Sequence, residues 1–172
     1  MWKGHILRPS SNLCRPTSSL VRGAFLDIAG RELVSSALVW DLCSGTGAVG
    51  LEALSWGAEH CVFVDRNPEC TALVRRFLRE RGARDRGTVI TGNVRKYITT
   101  ADGRNPGLIF IDPPYGMEKL YRWIDGRDWK NILDRNGAVF VESGTEPVQE
   151  PGWEVRKYGD SYLKYMFMDG QA

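Results

Sequence analysis

"ALVWDLCSGTGAVGLEALSWG", residues 37–57, is the stretch on which the fold turns. An apolar, β-rich run ends at Asp41 and Leu42, breaks at "CSGTG", and resumes with apolar residues at helical spacing. Strand, glycine turn and helix in that order make the first half of a βαβ unit, the building block of a parallel sheet. The unit repeats downstream. "CVFVD" (61–65) is a second strand, and "NPECTALVRRFLRERG" (67–82) the helix after it, with Pro68 near its start and Gly82 at its end. "TVITGN" (88–93), "LIFI" (108–111) and "AVFVES" (138–143) supply three further strands. Right-handed crossovers between such strands give a parallel sheet covered by helices on both faces.

The two ends depart from that rhythm. "WEVRKYG" (153–159) and "YLKYMFMD" (162–169) are strand-like runs joined only by "DS", so they predict an antiparallel hairpin. Upstream, "TSSLVRGAFLDIAG" (17–30) reads as a capped helix. The expected architecture is a doubly wound, Rossmann-like α/β fold with a mostly parallel seven-stranded sheet and a C-terminal antiparallel hairpin. It is expected as a single domain over residues 1–172, with residues 1–31 as a basic N-terminal segment and helix.

Composition places limits on function. The chain has 172 residues, 42% hydrophobic and 26% charged, which suits one soluble domain with a substantial core. Its apolar runs are strand-length, too short to span a membrane, and the N-terminus lacks the apolar core of a secretory signal. A cytoplasmic monomer is expected. Cys14, Cys43, Cys61 and Cys70 show no metal-ligand spacing and read as reduced thiols, and His5 and His60 show none either, so no metal is expected. The net charge is +2, but it is unevenly spread. Residues 66–104 carry ten Lys/Arg against four Asp/Glu, and residues 1–31 five against one, which suggests an anionic partner.

In an open parallel sheet, ligands bind beyond the carboxyl ends of the strands. The turn "DLCSGTG" (41–47) lies there, and Gly45 and Gly47 allow close backbone approach while the next helix offers free N–H groups. "GTGAVG" has the dinucleotide spacing, so NAD must be weighed. Asp41 opposes it, since a carboxylate at the strand end repels a pyrophosphate but welcomes the ammonium of an amino-acid moiety, such as S-adenosylmethionine carries. Asp65, ending the second strand, can accept both hydroxyls of a ribose or cap the "NPE" turn. Asn93 can meet an adenine amino group or make a turn.

"IFIDPPYG" (109–116) drives a strand into two prolines, which cannot continue it. The residue types suit a β-turn, but they also suit amine chemistry. The exocyclic amine of a nucleobase is a poor nucleophile because its lone pair is delocalised. Two acceptors on its N–H bonds pyramidalise the nitrogen and aim the lone pair. The Asp112 carboxylate is one acceptor. The C=O of Pro113, held rigid by its own ring and by Pro114, is the other. Tyr115 offers a face for a splayed-out base.

Together these motifs resemble the RsmD-type methyltransferases, which methylate the exocyclic N2 of a guanine in small-subunit ribosomal RNA. The similarity runs over residues 12–169 and rests on "RPTSSLVRGAF", "DLCSGTGAVGLEALSWGA", "VFVDRNPE", "LIFIDPPYG" and "GAVFVES". It implies a class I methyltransferase fold and S-adenosyl-L-methionine as cofactor, with small-subunit rRNA or a ribosomal particle as partner. It implies cofactor contacts from Arg15, Pro16 and Thr17, from Asp41, Ser44, Gly45 and Gly47, and from Asp65, Arg66, Asn93 and Val94. Asp112, Pro113, Pro114 and Tyr115 would grip the target amine. Leu20, Gly23, Asn93 and a short N-terminus depart from the family pattern. RNA contacts are expected from Lys3, Arg8 and Arg15, with Arg75, Arg76, Arg79 and Arg81 decorating an exposed helix instead. Other readings are a DNA or protein-amide N-methyltransferase on the same chemistry, and an RNA-binding or ribosome-assembly module without turnover.

Overall fold

The computed structural model describes residues 17–168. The expected Arg15, Pro16, Lys3, Arg8, Cys14 and His5 lie outside them.

Seven strands form one sheet, β1 (Leu38–Leu42), β2 (His60–Asp65), β3 (Gly87–Thr91), β4 (Leu108–Ile111), β5 (Ala138–Ser143), β6 (Glu154–Tyr158) and β7 (Ser161–Phe167). Their order across the sheet is β3-β2-β1-β4-β5-β7-β6. The first five are parallel, and β7 runs antiparallel to both β5 and β6. This is the doubly wound sheet with a closing hairpin that the sequence predicts. The hairpin turn is one residue earlier than expected. Tyr158 pairs with Ser161, so the loop is Gly159 and Asp160, and Gly159 takes the positive φ of 61° that the tight turn needs.

Both faces are covered because the central strands are apolar at nearly every position; all four residues of β4 and all six of β5 are buried. One face packs α1 (Ser19–Val34), α2 (Ala48–Trp56) and α3 (Pro68–Glu80). There Phe25 of α1 packs edge-on to Phe140, with ring centroids 4.8 Å apart, and against Phe110 at 5.1 Å. The other face packs α4 (Val94–Thr100) and α5 (Glu118–Asp125) over Trp40, Ile109 and Val139.

The helix starts follow their capping residues. Ser18 accepts from the Val21 N–H, and Asn67 accepts from the Glu69 N–H with Pro68 opening α3. Gly30 breaks the helical path of α1 at φ 75°, where the sequence reading ends that helix, but the chain turns and continues to Val34. Both α4 and α5 are additions to the predicted elements. No helix among the described residues is long and apolar enough to cross a membrane.

Candidate active site

The order of the sheet reverses between β1 and β4, and a cavity of about 900 Å³ opens there, beyond the carboxyl ends of the parallel strands. Of the residues expected at the site, Thr17, Gly45, Asp65, Arg66, Asn93 and Val94 line it, as does the whole Asp112–Tyr115 segment. Asp41, Ser44 and Gly47 do not line it.

The glycine turn explains that split. Gly45 and Gly47 both have positive φ, at 51° and 73°, which turns the chain sharply out of β1. Gly47 then lets the start of α2 approach α3, and Gly50 lets α2 sit directly on β2. A Cβ at Gly47 would fall 2.7 Å from Val74 Cγ2, and one at Gly50 2.5 Å from Cys61 Sγ. Asp41 is 2% exposed and accepts from the Gly50 N–H at 2.9 Å. Burial, opposed by that hydrogen bond and reinforced by Asp112 and Asp65, pushes its carboxyl up to about 8. That hydrogen bond ties β1 to α2. Ser44 is buried, and its Oγ has no hydrogen-bond partner among the described residues.

Asp65 carries out the capping role and faces the cavity as well. Its Oδ2 accepts from the Gly45 N–H and its Oδ1 from the Asn67 N–H, both at 2.8 Å. One carboxylate thus fixes the glycine turn and the start of α3, with lone pairs remaining for a diol. Asn93 likewise caps α4, accepting from the Arg95 N–H at 2.9 Å.

The Asp112 N–H still donates to the Leu42 carbonyl, so Asp112 stays in line with the sheet before the prolines end it. Thr17 Oγ1 donates to Asp112 Oδ2 at 3.1 Å, which places a residue just before α1 against this carboxylate. Tyr121 of α5 was not singled out by the sequence. Its hydroxyl donates to the carbonyls of Pro113 (3.3 Å) and Glu142 (3.1 Å), and burial, helped by Asp112, raises its pKa, so it remains a donor at neutral pH. Tyr115 is 52% exposed and lies over Gly144.

Glu142 and Ser161 also line the cavity and were not predicted. Ile111 pairs with Val141, so Asp112 and Glu142 follow side by side on adjacent strands. Glu142 is buried, and its Oε1 accepts from Ser161 Oγ at 2.8 Å. The signal was available: "VES" closes a strand on a carboxylate beside "IDPP", but only the sheet order shows that the two strands are neighbours.

Among the cysteines, Cys43 and Cys61 are free, and burial pushes both thiols up. Cys70 is disulfide-bonded, which corrects the expectation of four reduced thiols; it sits buried in the first turn of α3, where a sequence without paired-cysteine spacing gives no sign of it. Among the described residues no group of three or more His, Cys, Asp or Glu could hold a metal ion.

The chain is similar to known proteins in both sequence and fold. The family described as conserved hypothetical protein 95 matches residues 1–166. YlbH of Bacillus subtilis strain 168, provisionally named an rRNA methyltransferase, is 31% identical over 77% of this chain and 72% of its own length. Ribosomal RNA small subunit methyltransferase D of Escherichia coli K12 is 26% identical over 91% and 79%. Among solved structures, a hypothetical protein of Thermus thermophilus superposes with a TM-score of 0.78 at 26% identity, covering 95% of this chain and 93% of that one. An RNA methyltransferase of Salinibacter ruber, solved with S-adenosyl-L-homocysteine, shares the fold at a TM-score of 0.66 and 14% identity, over 92% and 96%.

Proposed function

This chain belongs to the conserved hypothetical protein 95 family, that of the RsmD-type methyltransferases, and from that premise we propose that it is an S-adenosylmethionine-dependent rRNA methyltransferase acting on the exocyclic N2 of a guanine in the small subunit. The observation that carries this reading is the sharing of one cavity by the glycine turn with Asp65 and by the Asp112–Tyr115 segment. The cavity is at the large end of small-molecule pockets, with room for a cofactor and a flipped base.

When bound, S-adenosylmethionine would supply an electrophilic methyl group on a positively charged sulfur. This chain's residues do the positioning. Gly45, Asp65, Arg66, Asn93 and Val94 would hold the cofactor, with Thr17 at its rim. Asp112 and the Pro113 carbonyl accept the two amine N–H bonds, and Tyr121 keeps that carbonyl in place. The proton that the amine loses passes to Asp112 and on to water. Tyr115 stacks on the base. Glu142, beside Asp112, suits guanine in particular, because guanine presents a ring N–H next to its amine and adenine does not. The catalytic gain is then orientation and charge stabilisation, without a strongly shifted base. The cytoplasm, where ribosomes are assembled, is the matching compartment.

The test is methyl transfer from radiolabelled S-adenosylmethionine to small-subunit particles, protein-free rRNA and duplex DNA, with Asp112→Ala alongside. Label recovered from rRNA as N2-methylguanine, and lost with Asp112→Ala, is the expected result. Label on DNA or protein alone would overturn it.

A further inference from the structure

The cavity is charged differently at its floor and at its rim. Asp65, Asp112 and Glu142 lie at the strand ends that form the floor. Arg95, Lys119 and Arg122 line the α4–α5 side, with one carboxylate, Glu118, among them, and Arg66 lines the cavity just past β2. None of these four cations is in an ion pair among the described residues. Elsewhere arginines are engaged in the fold: Arg76 pairs with Glu80, Arg75 donates to the Val89 carbonyl, and Arg86 to those of Leu54 and Ala58.

The α5 cations are also held in place. Lys119 and Arg122 are one helical turn apart and both exposed. Arg95 of α4 donates to the Lys119 carbonyl, and its guanidinium lies 5.6 Å from the Trp123 ring centroid. Tyr121, between Lys119 and Arg122 in sequence, is the residue bound to the Pro113 carbonyl. The basic edge is therefore fixed relative to the amine acceptors.

We propose that the α5 edge, Lys119 and Arg122 with Arg95, is the docking surface for the sugar-phosphate backbone of the RNA strand that carries the target base. This rests on the function proposed above and adds the path of the substrate. An acidic floor attracts N–H edges and repels phosphate, and a basic rim does the opposite. A nucleotide satisfies both only with its base inward, past the exposed Tyr115, and its backbone along α5. The expected basic contacts of the N-terminus lie outside the described residues, and the α3 arginines line no part of the cavity.

Two measurements test this on the full chain, namely anisotropy of a fluorescein-labelled single-stranded RNA from the methylated region and steady-state methyl transfer to rRNA. The variants are Lys119→Ala/Arg122→Ala and, as a control on α3, Arg76→Ala/Arg79→Ala. The α5 variant should raise the RNA Kd and the KM about tenfold or more, and reduce the slope of log Kd against log salt by about 1.4 if two phosphate contacts are lost. Cofactor Kd should stay unchanged, and the control should match wild type. An α5 variant with wild-type KM and salt slope, in an enzyme that methylates rRNA, overturns the surface and leaves the function standing. RNA binding that depends on α5, in a chain that methylates no RNA, does the reverse. If wild type neither binds nor methylates RNA, both readings fall.

Discussion

Gly144 matters for the carbon it lacks. A Cβ built there would lie 2.4 Å from Tyr115 Cε1 and 2.7 Å from Cδ1, far inside contact distance. The backbone after β5 is therefore the seat of the ring that is to stack on the base. Gly144→Ala should push the ring off that seat with little cost to stability, because Tyr115 is half exposed and its ring has solvent to swing into. A displacement of about 1 Å at such a site costs up to about a hundredfold in rate, so kcat/KM for RNA should fall about 10- to 100-fold. Cofactor Kd and the urea midpoint should hold. An unchanged kcat/KM would show that the ring is not needed where it lies. The two aspartates nearby show what sequence reading resolves at this scale. That Asp41 and Asp65 each lie at the end of a strand was legible. That one is buried under α2 and the other faces the cavity depends on the turn between them.

At the scale of elements, α5 is fastened at two points. Its middle is bound through Tyr121 to the strand ends, and its last residue, Asp125, meets Lys164 of β7 at 3.0 Å. Lys164 is 4% exposed and also pairs with Glu150 at 2.9 Å, its ammonium 4.7 Å from the Trp153 ring centroid. The partners are each about a third exposed. The asymmetry predicts unequal mutants. Lys164→Met fills the same volume and leaves carboxylates that can rehydrate, so it should change stability by less than about 1 kcal/mol. Asp125→Ala/Glu150→Ala leaves a buried ammonium without its counter-charges and should cost about 3 kcal/mol or more in urea unfolding. Equal losses would show that the pairing energy itself, and not desolvation, holds the helix. The sequence reading missed α5, although Leu120 and Ile124 stand one helical turn apart on its buried face, because eight residues soon after the proline segment offer only about two turns of pattern. It missed α4 for the same reason, at seven residues. The five parallel strands were legible because they are apolar runs closed by turn residues, and the hairpin because two alternating runs lie too close together for a crossover.

Across the whole molecule, the cavity is built by parts far apart in sequence. The residues before α1, the turn after β1, the ends of β2, β4 and β5, and the start of α5 all line it. A ligand that binds there stabilises the folded chain and not the unfolded one. S-adenosylhomocysteine at a hundred times its Kd should add about 2.7 kcal/mol, which for a chain of this size raises Tm by roughly 5–11 °C. Two carboxylates in the same cavity should then separate by function. Asp65→Ala should abolish most of the shift, since it removes both the hydroxyl acceptor and the anchor of the Gly45 turn. It should also lower Tm without ligand, so the shift and not Tm itself is the quantity to compare. Asp112→Ala should keep most of the shift while turnover is lost, because that carboxylate serves the amine and not the cofactor. Equal loss of the shift in both variants would move Asp112 from the substrate to the cofactor. Loss in neither would return Asp65 to a purely structural cap and place the cofactor's hydroxyls elsewhere in the cavity.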